Sequence, residues 1–311
     1  MDSSELYHVK QQFFLGAYKS LVDLSLPDPS SPNYIPTLVY QARAHIALND
    51  PGAVASLIPA DSDNVALRAV SALSLYVSAS DATKQEAALE ELRDLAVEIE
   101  GADVVGTERD KLAVRAIAGT AFARAGEVEE ALETLGAETE DLEAVAIIVQ
   151  IYISINRPDR AKREFERAKR WAEDDLLLQL IESSIGLVAA KDGYSNANSF
   201  YTEQLGNPSL SSPHILTARG VTRILRNEIP EAMSDLKESL ELQKSDAETL
   251  AAYVVAAGIE SKKGEVEELW TRLTTEHPTH PLAVDVAQKA DLFDAFCAKF
   301  VVPPLAVAAA A

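Results

Sequence analysis

The chain has 311 residues, of which 47% are apolar and only 6% aromatic, and it carries a net charge of −21. A surface this acidic repels phosphate backbones and anionic headgroups, which argues against nucleic acid and direct membrane insertion and leaves solubility or a basic partner as the meaning of the charge. One cysteine, Cys297, permits no internal disulfide, which fits a reducing cytosolic compartment.

Ala and Leu dominate the apolar set, and Val, Ile and Thr do not alternate, so the expected elements are helices. Residues 4–26 read as a first hairpin: Leu6, Val9 and Phe13 on one amphipathic stretch, Gly16 in the turn, then Tyr18, Leu21 and Leu24. Pro27, Pro29 and Pro32 with Ser30 and Ser31 mark a loop. Residues 36–48 and 51–58 form a second, short hairpin, with Pro51 suited to a first helical turn. Residues 63–78 and 81–100 form a third, with Asp81 as its N-cap, and Gly101 to Thr107 is a loop. The apolar run Ala144 to Ile155 contains Gln150 and is too short to span a bilayer. The N-terminus MDSSELYHVK lacks the pattern of a signal peptide.

From residue 108 to 278 the hairpins repeat. In GTAFARAGEVEEAL, residues 119–132, a small residue sits where two helices touch, an aromatic follows, a Gly takes the turn and an Ala faces the first helix: Gly119, Phe122, Gly126 and Ala131. That is the packing pattern of a tetratricopeptide (TPR) hairpin. It recurs as Val149, Tyr152, Asn156, Ala161, Phe165 and Ala168; then with Asp192-Gly193 as the turn, Ala197 and Tyr201; then Gly220, Asn227, Ala232 and Leu236; then Ala257, Gly264, Leu269 and Leu273. The second-helix markers 131, 161, 197, 232 and 269 scatter around the 34-residue TPR period. The expected fold is all-α: one TPR-like α-solenoid over 1–311, a right-handed superhelix of antiparallel helix pairs. It comprises divergent hairpins over 1–100, clear repeats over 108–278, a capping helix over 280–300 that covers the last hairpin with Leu282, Val286, Leu292, Phe293 and Phe296, and a frayed tail over 301–311. An open superhelix and a closed bracelet are equally compatible with the repeats.

No reactive constellation stands out, so neither an enzyme, a cofactor, a metal nor a small-molecule ligand is expected. His277 and His280 form an H-x-x-H pair, but they flank prolines and read as an inter-helix loop. No phosphate-binding glycine loop or nucleophile elbow is present. Cys297 beside Phe296 reads as a packing cysteine. A carboxylate clamp would need Lys and Asn at inward positions that here hold Ala116, Thr120, Ala146, Gln150, Thr217 and Val221. The candidate concave face is Phe13, Phe14, Thr120, Arg124, Gln150, Ile153, Val221, Ile224 and Leu225, suited to an apolar or extended protein segment. Residues 157–170, RPDRAKREFERAKR, are a basic island; i,i+4 pairs such as Asp159–Arg163 and Glu166–Arg170 would make it a solvated face, and unpaired it would contact an acidic segment.

Four stretches resemble the coatomer epsilon-subunit family: ELYHVKQQFFLGAYKSLVDLSL, AVAIIVQIYISINRPDRAKREFERAKRWAEDDLLLQL, SDAETLAAYVVAAG and HPTHPLAVDVAQKADLFDAF. The N-terminal V-K-x-x-F-x-x-G-x-Y pattern falls at Val9, Lys10, Phe13, Gly16 and Tyr18. The resemblance runs in order along nearly the whole chain. It implies a cytosolic structural component of the COPI coat, peripheral on Golgi membranes and coated vesicles, in Golgi-to-endoplasmic-reticulum and intra-Golgi transport. It also implies, within the wider coatomer complex, a stable partner in the C-terminal region of the alpha subunit, with the array curling around a projecting segment of it. A cytosolic TPR adaptor or co-chaperone that holds peptide segments is the second reading.

Overall fold

The computed structural model describes residues 3–59, 61–101, 106–189, 191–208, 210 and 212–301. Among these every regular element is helical. The N-terminal third holds α1 (Ser4–Phe14), α2 (Tyr18–Val22), α3 (Tyr34–Ala47), α4 (Val54–Leu57), α5 (Val65–Ser78) and α6 (Ala82–Glu98). The repeats follow as α7 (Glu108–Ala125), α8 (Val128–Leu135), α9 (Leu142–Ser154), α10 (Pro158–Ala168), α11 (Leu176–Ala189), α12 (Lys191–Leu205), α13 (Pro213–Leu225), α14 (Ile229–Leu242), α15 (Ala247–Ile259) and α16 (Lys263–Glu276), and α17 (Pro281–Lys299) closes the chain. From α5 to α16 successive helices pack in pairs, and each pair packs on the next.

The two helices of a pair start differently. First helices carry side-chain caps: Asn64 accepts from Ala66 N, Asp141 from Ala144 N, Ser212 from Ile215 N and Asp246 from Thr249 N. Thr107 and Asp110 form a reciprocal capping box at α7. Second helices are mostly entered instead through one residue in the left-handed region: Asn49, Gly126, Asn156, Asn227 and Ser261 all have φ between 56° and 85°. Asp81, which caps α6 by accepting from Thr83 N, is the exception expected from the sequence.

This turn frame corrects two repeat positions. Gly264 lies inside the first turn of α16, and Ser261 takes its turn. Ala131, Ala161 and Ala232 each stand five residues after their turn residue, so Val266, not Leu269, is their counterpart. Gly193 is not a turn residue either: it lies in α12, with its backbone against Gly186 of α11. A Cβ on Gly193 would stand 2.6 Å from the Gly186 carbonyl oxygen. The two glycines let these helices meet backbone to backbone, an approach larger residues forbid. Elsewhere the small residues receive side chains. Gly119 is filled by Leu135 and Gly220 by Leu236, while Phe122, Ala131, Ala161, Ala197 and Ala232 are buried.

The core is a chain of apolar clusters rather than one centre, as a solenoid requires. The array also closes on itself. Leu15 is buried among Leu176, Ala197, Phe200, Tyr201, Leu210 and Ile215, all more than 160 residues along the chain. Ser212 Oγ donates to the Leu15 carbonyl at 2.5 Å, and Lys19 Nζ donates to the Leu242 carbonyl at 2.7 Å. Gly16, at φ 72°, lies against His214, where any Cβ would collide.

α17 departs from its expected role as a cap. Only its first turn meets the array, through Leu282 and the buried Ala283. At 19 residues, or about 28 Å, the helix outruns the 14-residue α16. Leu292, Phe293 and Phe296 are therefore more than half exposed, and Cys297 is exposed rather than packed. Residues 302–311, most of the expected tail, lie outside the described residues. Phe293→Ser with Phe296→Ser should shift the melting temperature by less than about 2 °C, as substitutions of exposed side chains do. A larger drop in a thermal melt would mean that α17 packs on the array after all.

Candidate protein-binding groove

Closure of the array creates a groove between its N-terminal hairpin and its middle repeats. α1 supplies Phe13 and Phe14; α7 supplies Thr120, Ala123 and Arg124; α9 supplies Ala146, Ile147 and Gln150; and α11 supplies Leu177. The cavity volume is about 510 Å³. Its walls are small or apolar because they are the inner faces of first helices, where the repeat frame places small residues. Arg124 and Gln150 stand exposed at the rim. The Thr120 hydroxyl is already used, donating to the Ala116 carbonyl at 2.7 Å.

Besides Arg124 at the rim, charge enters the groove wall between Phe13 and α9. Arg43 of α3 lies 4.5 Å above the Phe13 ring and 5.4 Å from the Tyr40 ring centre. Its Nη2 forms an ion pair with Glu143 Oε1, and the Tyr40 hydroxyl donates to Glu143 Oε2 at 2.9 Å. Both charged side chains are largely buried, 11% and 14% exposed. Burial opposes the Arg43 charge, but the Glu143 carboxylate holds it protonated. Burial first, and Glu143 second, push the Tyr40 phenol well above its usual range, so it stays a donor. Phe13 packs on Phe14, Tyr18 and Tyr40 with centroids 5.1–5.8 Å apart. This aromatic and ionic latch borders both the groove and a second cavity of about 340 Å³, lined by charged residues including Lys10, Arg109 and Asp175.

Of the nine residues expected on a concave face, Phe13, Phe14, Thr120, Arg124 and Gln150 lie along this groove. Ile153, Val221, Ile224 and Leu225 do not. Ile153 packs into the α9–α11 core, and Ile224 into the α14–α16 core. Val221 is half-buried and Leu225 is exposed. Sequence reasoning missed Arg43 and Glu143. A lone arginine in the apolar stretch TLVYQARAHIA was the available signal, but its partner lies 100 residues on.

Nothing in the groove is arranged for bond chemistry, and no group of three metal-ligating side chains occurs among the described residues. His277 lies 3.2 Å from Ser245 Oγ, and His280 caps α17 by accepting from Leu282 N, so both histidines of the H-x-x-H pair serve the loop. No described helix is long and apolar enough to cross a membrane.

The fold is similar to a tetratricopeptide repeat protein from Parabacteroides merdae, with a TM-score of 0.55 over 81% of this chain and 96% of that one at 12% identity. In sequence the chain is similar to coatomer subunit epsilon-1 of Arabidopsis thaliana, 28% identical over 93% of this chain and 94% of the relative. It is also similar to the probable coatomer subunit epsilon of Schizosaccharomyces pombe, 26% identical over 82% and 80%. The relatives are named as coat subunits rather than as enzymes. The model of the coatomer epsilon subunit matches residues 2–301, and this chain belongs to that family.

Proposed function

We propose that this chain is a structural subunit of the COPI coat that binds the C-terminal region of the coatomer alpha subunit, acting on Golgi membranes in Golgi-to-endoplasmic-reticulum and intra-Golgi transport. The family match along the chain supports membership of the coat. The single observation that supports the binding mode is the preformed groove, mostly apolar and bordered by a buried latch. A preformed surface leaves little ordering cost on this side of the complex.

Co-expression with the C-terminal region of the alpha subunit should give a stoichiometric complex that survives moderate salt in gel filtration. Gln150→Trp combined with Arg124→Glu alters only exposed rim residues, so the fold should be kept while the complex weakens at least about tenfold. If this chain elutes alone, the partner is wrong. If the complex forms and the double variant binds as well as wild type, the partner stands but the groove does not hold it.

A further inference from the structure

Residues 157–170, which span α10 and the turns at its two ends, are a basic stretch in an acidic chain. They hold seven basic and three acidic residues, a net charge of +4 set against −21 for the whole. Ala161, Phe165 and Ala168 are buried and fix the inward side of the helix. The spacing i, i+3, i+7 then places Arg160, Arg163 and Arg167 along one outer stripe, where Arg167 donates to the Thr139 carbonyl at 2.7 Å, and Arg170 follows in the turn just past the helix. The two i,i+4 pairs that would neutralise this stripe are not formed. Asp159 turns back to Arg157 at 2.8 Å, and Glu166 has no partner among the described residues. Arg167 is held by Glu164 at 2.9 Å, but the side chains of Lys162, Arg163 and Arg170 make no ion pair or hydrogen bond among the described residues. Arg160 rests 5.7 Å over the Tyr152 ring, its charge uncompensated by any carboxylate among the described residues. Trp171, 37% exposed, stands at the end of the stripe.

We propose that the outer face of α10, with Trp171 beside it, docks an acidic segment of a partner protein, at a site separate from the groove. Unpaired arginines next to an exposed tryptophan are the residue types that carry binding energy at interfaces. From Arg160 to Arg170 the stripe spans about 15 Å, the length of about five residues of extended chain. An anionic bilayer fits less well. A flat surface would also press on Glu173, Asp174 and Asp175, which follow Trp171, whereas a single extended segment can track the stripe alone.

The full-length protein is titrated with a fluorescein-labelled peptide of consecutive glutamates ending in leucine, read by fluorescence anisotropy at low and at physiological salt. Saturable binding that weakens with salt is expected. Arg163→Glu with Arg170→Glu should weaken it at least about tenfold with the melting temperature unchanged. Glu166→Gln should tighten binding, and the Gln150→Trp groove substitution should leave it as it is. The proposal is overturned if wild type fails to bind the peptide, if the charge-reversed variant binds equally well, or if phosphatidylserine vesicles capture the protein in preference to the peptide.

Discussion

Replacing Glu143 by alanine is expected to lower the unfolding free energy by about 3–5 kcal/mol, measured by urea denaturation. Arg43 would be left with no anion in a site where its side chain is 11% exposed, and the Tyr40 hydroxyl would lose its acceptor. Stacking over Phe13 keeps the guanidinium from swinging freely into solvent. The desolvation cost already met for the ion pair then has no attraction to set against it. Replacing both partners by methionine removes the charge and keeps apolar volume, so that variant should lie within about 2 kcal/mol of wild type. The gap between the single and the double variant separates the stranded charge from ordinary packing. A Glu143→Ala cost below about 1 kcal/mol would mean that water reaches the pair and that it is worth no more than a surface salt bridge. Because the pair joins α3 to α9, the same variant should also expose the N-terminal hairpin to protease before the rest of the array.

Gly193→Ala should cost about 2 kcal/mol or more, although alanine is the better helix former by about 1 kcal/mol. The added methyl would meet the Gly186 carbonyl oxygen at 2.6 Å and the Gly186 Cα at 2.7 Å, and backbone has no rotamer by which to retreat. Gly258→Ala, inside α15 with nothing near its Cβ position, is the matched control and should stabilise by about 0.5–1 kcal/mol. Gly119→Ala falls between them, since it presses on the Leu135 side chain rather than on backbone. The readout is the shift in denaturation midpoint, and a Gly193→Ala variant as stable as wild type would refute the α11–α12 contact.

The groove was half legible before the structure. Thr120 and Gln150 sit at inward positions of first helices, which the repeat frame assigns, and both lie on the groove. Ile153 is three residues past Gln150, about 60° around the helix, and that rotation turns it into the core. The frame itself slipped where a turn lacked glycine: Ser261 carries the left-handed φ, but a serine there gives no signal, and Gly264 nearby drew the assignment.

What the sequence determined by itself is local. The 3.6-residue apolar spacing, the Asp, Asn and Thr caps, and the Gly and Asn turns at residues 16, 126, 156 and 227 each act within a few residues of chain, so helix class, hairpin order and most boundaries follow from them. Tertiary structure alone decided what depends on curvature summed over many repeats. A small rotation at each hairpin brings Leu15 to Ser212 and Arg43 to Glu143, and no neighbour-to-neighbour preference encodes that sum. The same holds for α17, whose apolar spacing looks like that of a covered helix while the array beneath it ends after one turn.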